Sequence, residues 1–148
     1  MIEYLSKFNS IQNAVAVDIN DCPSIIKYAE INTNTKVSFI KADTTSTQFK
    51  DFMNDHHGFD LVMIDGDHSE AGCRNDYELI KDKANMVAFH DIEANAAPGV
   101  AKIWSELKAM HQREYFFFEY RDQYESLGWG RWLGIGLAVK KNILKMSD

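Results

Sequence analysis

Short apolar runs alternate along this chain with stretches in which apolar residues recur every three or four positions, the two periodicities of strand and helix. Tyr4, Leu5, Phe8 and Ile11 stand at helical spacing, and Ala14-Val15-Ala16-Val17 then forms a strand-like run that ends in Asp18. Asp21 followed by Pro23 marks a helix start, with Ile25, Ile26 and Ala29 as its apolar stripe. A second strand is predicted at Val37-Ser38-Phe39-Ile40. It is ended by Asp43 and by Thr44-Thr45-Ser46-Thr47, hydroxyls that can cap a helix carrying Phe49, Phe52 and Met53. The third run, Phe59-Asp60-Leu61-Val62-Met63-Ile64, closes on Asp65-Gly66-Asp67-His68 and leads into a helix bearing Tyr77, Leu79 and Ile80. The fourth, Met86-Val87-Ala88-Phe89, closes on His90-Asp91. Pro98-Gly99 then opens an amphipathic helix with Val100, Ile103, Trp104 and Leu107 on one face.

After that helix the beat changes. Tyr115-Phe116-Phe117-Phe118 and residues 133–139 are β-prone runs with no strong helix pattern between them, so an antiparallel pair is expected. The earlier runs are apolar enough to be buried on both faces, as in a parallel sheet covered by helices. The expected fold is α/β, a mainly parallel sheet with an antiparallel C-terminal strand pair, in one domain over residues 1–148.

Composition excludes more than it identifies. With 148 residues, 45% hydrophobic, 26% charged, 8 Gly and 2 Pro, the chain is of neither collagenous nor disordered type. A net charge of −6 leaves no basic surplus to neutralise phosphates, which argues against nucleic acid or an anionic membrane as partner and leaves room for a small molecule or a metal ion. Cys22 and Cys73 are too few for a disulfide framework and share no metal-ligand spacing; both read as buried free thiols in helical stretches, suited to a reducing compartment. The N-terminus has an acid at its third position and reads as neither signal peptide nor anchor, and no run approaches the ~18 apolar residues of a membrane helix. The expected location is cytoplasmic.

In open parallel sheets, ligands bind at the carboxyl ends of the strands. Asp18, Asp43, Asp65 and Asp91 all end, or closely follow, a parallel run, with His68 and His90 beside the last two. Any one such aspartate is ordinarily a turn or cap residue. Together on one edge they mark a candidate site.

Phe59 through Ser69, then Met86-Val87-Ala88-Phe89-His90-Asp91, then Gly99-Val100 through Trp104, resemble the class I S-adenosylmethionine-dependent methyltransferases. The similarity is greatest to the group whose fourth strand ends in IDGDHSY and fifth in HD, a set that also resembles cephalosporin hydroxylase-type proteins. Glu70 stands where that group has tyrosine. The resemblance implies a Rossmann-like three-layer sandwich. It assigns Asp18 to the cofactor ribose hydroxyls and Asp43 to the adenine amino group, with capping of the next helix an equal alternative for Asp43. Asp65 belongs to the cofactor side too and, with Asp91, is the implied ligand pair for a divalent cation such as Mg²⁺. An ion there would acidify a substrate hydroxyl, and His68 or His90 is the implied proton acceptor, each alternatively a hydrogen-bonded turn residue.

By the same resemblance, the family's first strand and its glycine-rich cofactor loop are missing, since Met1 falls where the family is already inside its first helix. That strand lies mid-sheet, between those ending in Asp18 and Asp65. Three outcomes are open: the flanking strands pair directly, a second copy covers the sheet in a homodimer, or the chain is a shortened product. The leading expectation is a methyltransferase acting on a small hydroxylated substrate. A catalytically degenerate binding or assembly module and a metal-dependent hydroxylase-like protein are the alternatives.

Several signals carry little weight. The stretch from Gly128 to Gly136 precedes a strand, not a helix, and reads as a connection, with Trp129 and Trp132 packing at the sheet edge or lining an entrance. His56-His57 reads as solvated, the Tyr115-to-Phe118 run as a buried strand, and no Gly-x-Ser-x-Gly elbow is present.

Overall fold

A computed structural model describes residues 11–25, 27, 35–121 and 133–145. The expectations at Tyr4, Leu5, Phe8, Ile26, Ala29, Trp129 and Trp132 lie outside the described residues. The chain falls into two compact units, Met1–Phe52 and Met53–Asp148.

In the first unit, β1 (Asn13–Asp18) and β2 (Lys36–Lys41) pair in parallel, in register from Asn13 with Lys36 to Asp18 with Lys41. Thr35, 3% exposed, secures the entry to β2: its hydroxyl donates to the Ile11 carbonyl at 2.8 Å. Pro23 opens a helical turn, as its fixed φ favours. Cys22 departs from expectation, because it precedes that proline outside the helix and is only half-buried. Helix α1 (Thr47–Asp55), which runs across the boundary between the units, starts where the hydroxyl run predicts, with the Ser46 Oγ accepting from the Phe49 N–H at 3.2 Å. It buries Phe49 and Met53, one turn apart.

The second unit runs β3 (Phe59–Ile64), α2 (Glu70–Ile80), β4 (Ala84–His90), α3 (Pro98–Met110), β5 (Tyr115–Tyr120) and β6 (Ile135–Lys140), ending in a 3-10 turn. Its sheet has the order β3-β4-β6-β5, with β3 and β4 parallel and β6 antiparallel to both neighbours. The architecture is mixed α/β, and the antiparallel C-terminal pair forms as expected. Hydrogen bonding divides the described strands into two sheets.

Small residues explain how α3 seats on β6. A Cβ on Gly136 would lie 2.6 Å from the Trp104 ring, and Ala138 is fully buried. Trp104, fully buried, meets Phe89 and Phe117 at ring-centroid distances of 5.5 Å each. Its indole N–H donates to Glu119 at 2.7 Å. Arg121, Lys108 and that indole N–H together hold the Glu119 carboxyl down at about 2, against burial that pulls it up. All four residues of the predicted α3 stripe, Val100, Ile103, Trp104 and Leu107, are buried. Cys73 is buried as expected, which pushes its thiol up to about 12.

Two expectations change. β5 is an edge strand whose residues alternate between faces: Tyr115 is buried and Phe117 meets Trp104, but Phe116 and Phe118 are 43% and 48% exposed. His56 is half-buried rather than solvated. Its ring stacks on Phe59 at 5.7 Å, and its carbonyl accepts from Lys83 at 2.9 Å, just past the end of α1. Among the described residues, no helix is long and apolar enough to cross a membrane.

Candidate metal centre

Parallel pairing delivers the site. Ile64 of β3 is in register with Phe89 of β4, so Asp65, just past β3, and His90, the last residue of β4, stand at the same edge of the sheet. His68 comes from the turn between β3 and α2, which its own side chains fix. Asp67 accepts the Ser69 N–H at 2.8 Å and the Ser69 hydroxyl at 2.9 Å, while Ser69 Oγ accepts the Gly72 N–H at 3.0 Å and caps α2. Those two bonds from Ser69 hold the Asp67 carboxyl below the usual aspartate range. From the other side, Gly99 at the start of α3 lets two backbones touch: a Cβ there would lie 2.4 Å from Glu70 N and 2.5 Å from His68 O. Glu70, where the resembling group has tyrosine, pairs with Arg74 at 3.1 Å and Lys102 at 2.7 Å, tying the start of α2 to α3.

Asp91 is placed by strain. Among the described residues it alone, apart from glycine, has a positive φ, 63°, and it is 7% exposed. Its N–H donates to the Gly134 carbonyl at 2.9 Å, and Glu93 N–H to the Leu133 carbonyl at 3.0 Å. Gly134 itself has φ 75°, and a Cβ on it would lie 3.0 Å from Ile92 Cγ1. The glycine-rich stretch is therefore more than a connection, since its Gly134 clamps the backbone of Asp91. A phosphate-cradle pattern could not reveal this role; the signal was a glycine immediately before a strand, a position suited to positive φ.

Four side chains meet here. His90 Nδ1 lies 2.9 Å from Asp91 Oδ1 and 3.2 Å from Asp65 Oδ1. His68 stands between the same carboxylates, Nε2 at 3.7 Å from Asp65 Oδ1 and Nδ1 at 3.5 Å from Asp91 Oδ2. Asp65, His68 and Asp91 each offer a ligand atom within 4.8 Å of the others. His90 Nδ1 and Asp91 Oδ1 are buried, and neither has a hydrogen-bond partner, because their short approach is badly aligned. A buried polar atom left this way costs on the order of 1–3 kcal/mol, which a bound cation would offset. The donor set of two carboxylates and an imidazole fits a divalent ion.

Asp18 and Asp43 lie in the first unit, and both are exposed. Asp18 Oδ1 accepts the Asn20 N–H at 2.7 Å and its side-chain amide at 3.3 Å. Asp43 Oδ1 accepts the Thr45 hydroxyl at 2.6 Å and N–H at 2.7 Å, and these bonds hold its carboxyl below the usual range. The strand-end pattern alone marks all four aspartates alike, whereas the motif marks only Asp65 and Asp91, and the local geometry separates the same two from Asp18 and Asp43. No protein-family model matches the chain, and no curated protein matches it.

Proposed function

We propose that this protein is a divalent-ion-assisted, S-adenosylmethionine-dependent methyltransferase with a Rossmann-like fold, acting on a hydroxyl of a small substrate in the cytoplasm. The observation that carries the reading is the convergence of Asp65, His68 and Asp91 within 4.8 Å at the carboxyl ends of β3 and β4. The motif around Asp65 and Asp91 supplies the methyl-transfer half of the reading.

A divalent ion bound there supplies Lewis acidity, lowering the pKa of a substrate hydroxyl. Asp65 and Asp91 hold charge and fix orientation. His90 Nδ1, buried and without a hydrogen-bond partner, accepts the hydroxyl proton. Bound S-adenosylmethionine would supply a sulfonium methyl for that oxygen, leaving S-adenosylhomocysteine as the S–CH₃ bond breaks.

Titration with S-adenosylmethionine and transfer of a labelled methyl group to a panel of hydroxylated acceptors test this. Saturable binding is expected, with transfer that requires a divalent ion and is lost in Asp91→Asn. No binding at millimolar cofactor overturns the methyl-transfer reading. The second reading, a binding or assembly module on the same fold, is favoured by the division of the described strands into two sheets, and it predicts ion binding without cofactor binding.

A further inference from the structure

We infer that the centre selects a first-row transition ion over Mg²⁺, with the His68 imidazole as a ligand to the ion. The inference rests on the reading that Asp65, His68 and Asp91 bind a divalent ion, and it concerns which ion they select. Two carboxylates alone are an all-oxygen set, for which Mg²⁺ with its retained waters is the natural occupant. The turn after β3 adds a nitrogen. Neither ring nitrogen of His68 is at hydrogen-bonding distance from the carboxylates: the approaches are 3.7 Å to Asp65 Oδ1 and 3.5 Å to Asp91 Oδ2. Only one ring nitrogen can serve a given ion, and donors ~2.0–2.2 Å from a tetrahedral ion stand about 3.3–3.6 Å apart, so the 3.5 Å between Nδ1 and Asp91 Oδ2 suits two ligands sharing one ion better than partners bonded to each other.

The position of His68 is built, not incidental. The Asp67–Ser69 bonds fix its turn from within, and the glycine contact at Gly99 fixes its backbone from α3. On the opposite side, Asp91 is clamped in a positive-φ conformation with a buried, unbonded carboxylate oxygen. Imidazole favours Zn²⁺, Fe²⁺, Co²⁺ and Ni²⁺, whereas carboxylate and water ligands suit Mg²⁺.

Calorimetric titration of the full chain with Zn²⁺ and with Mg²⁺ tests the inference. Zn²⁺ is expected to bind at least about a hundredfold tighter than Mg²⁺, a gap that His68→Asp narrows to less than about tenfold by restoring an all-oxygen set. The spin-echo spectrum of bound Mn²⁺ should show a directly coordinated imidazole nitrogen that His68→Gln removes. Equal Zn²⁺ and Mg²⁺ affinities, an unchanged gap in His68→Asp, or a nitrogen signal lost only in His90→Gln each overturn the inference and leave the ion-binding reading standing. A folded, cooperatively melting wild type that binds no ion, or a Zn²⁺ isotherm unaltered by Asp91→Asn, overturns both.

Discussion

Asp18 and Asp43 in the first unit bond their own turns, whereas Asp65 and Asp91 in the second face two histidines across the ends of neighbouring strands. In the first pair, backbone and side-chain donors two residues onward bond the carboxylate, at 2.7 Å from Asn20 N and 2.6 Å from the Thr45 hydroxyl. In the second pair, each carboxylate meets a nearby histidine and also one brought from the other strand's end, and Asp91 Oδ1 is buried without a hydrogen bond. A strand-end aspartate is a turn residue when its own chain satisfies it and a ligand candidate when the fold withholds that satisfaction.

The sharpest way to break this contrast is to neutralise each carboxylate without changing its shape. Asp65→Asn and Asp91→Asn should each weaken divalent-ion binding by more than about a hundredfold, beyond the effect typical of residues that only support a ligand. Asp18→Asn and Asp43→Asn should leave the same isotherm within about twofold, since single-site effects at unlinked positions do not propagate. Loss of ion binding in Asp43→Asn, or a neutral Asp91→Asn, would erase the distinction.

A smaller effect should come from the residue that positions Asp91 without touching the ion. Gly134→Ala forces a side chain into a left-handed conformation at a cost of about 1–2 kcal/mol. It also sets a Cβ 3.0 Å from Ile92 Cγ1, beside the backbone it holds. Urea unfolding should show that loss, and ion affinity should fall about tenfold, the lower end for a supporting residue. Lowered stability with unchanged affinity would make the clamp structural only.

The strand ends were legible because their signals are local. Apolar runs, the Pro98-Gly99 helix start and the Ser46 cap all depend on neighbours within a few residues, and the structure puts elements there. What was not legible depends on pairing. β6 lies between β4 and β5, and its Gly136 makes room for a tryptophan on a distant helix. The exposure of Phe116 and Phe118 reflects the face of β5 opposite Tyr115 and Phe117, and which face is covered no periodicity announces. At the site, the sequence singled out Asp65, Asp91, His68 and His90 but gave His68 the role of a proton acceptor; its standing as a candidate ligand rests on distances across the strand ends. Gly134 was passed over because its role is a backbone contact with Asp91, 43 residues earlier in the numbering (134 − 91).

The smallest expected effect sharpens the contrast from its other side. Asp43→Ala removes an exposed carboxylate that, among the described residues, accepts from Thr45 in the turn before α1, leaving the freed N–H to water. The fall in Tm should stay within about 2 °C, the scale of a minor change in a chain of this size. The wild-type contribution should also depend on pH in one direction. Because Thr45 holds the folded Asp43 carboxyl below the ordinary value of 3.8, its stabilisation is present above that value and is lost as pH falls through the folded one. Melting curves of wild type and Asp43→Ala should therefore differ at neutral pH and converge in acid. A difference that persists unchanged below the ordinary aspartate range would mean that Asp43 acts through something other than its charge, and its turn would no longer account for it.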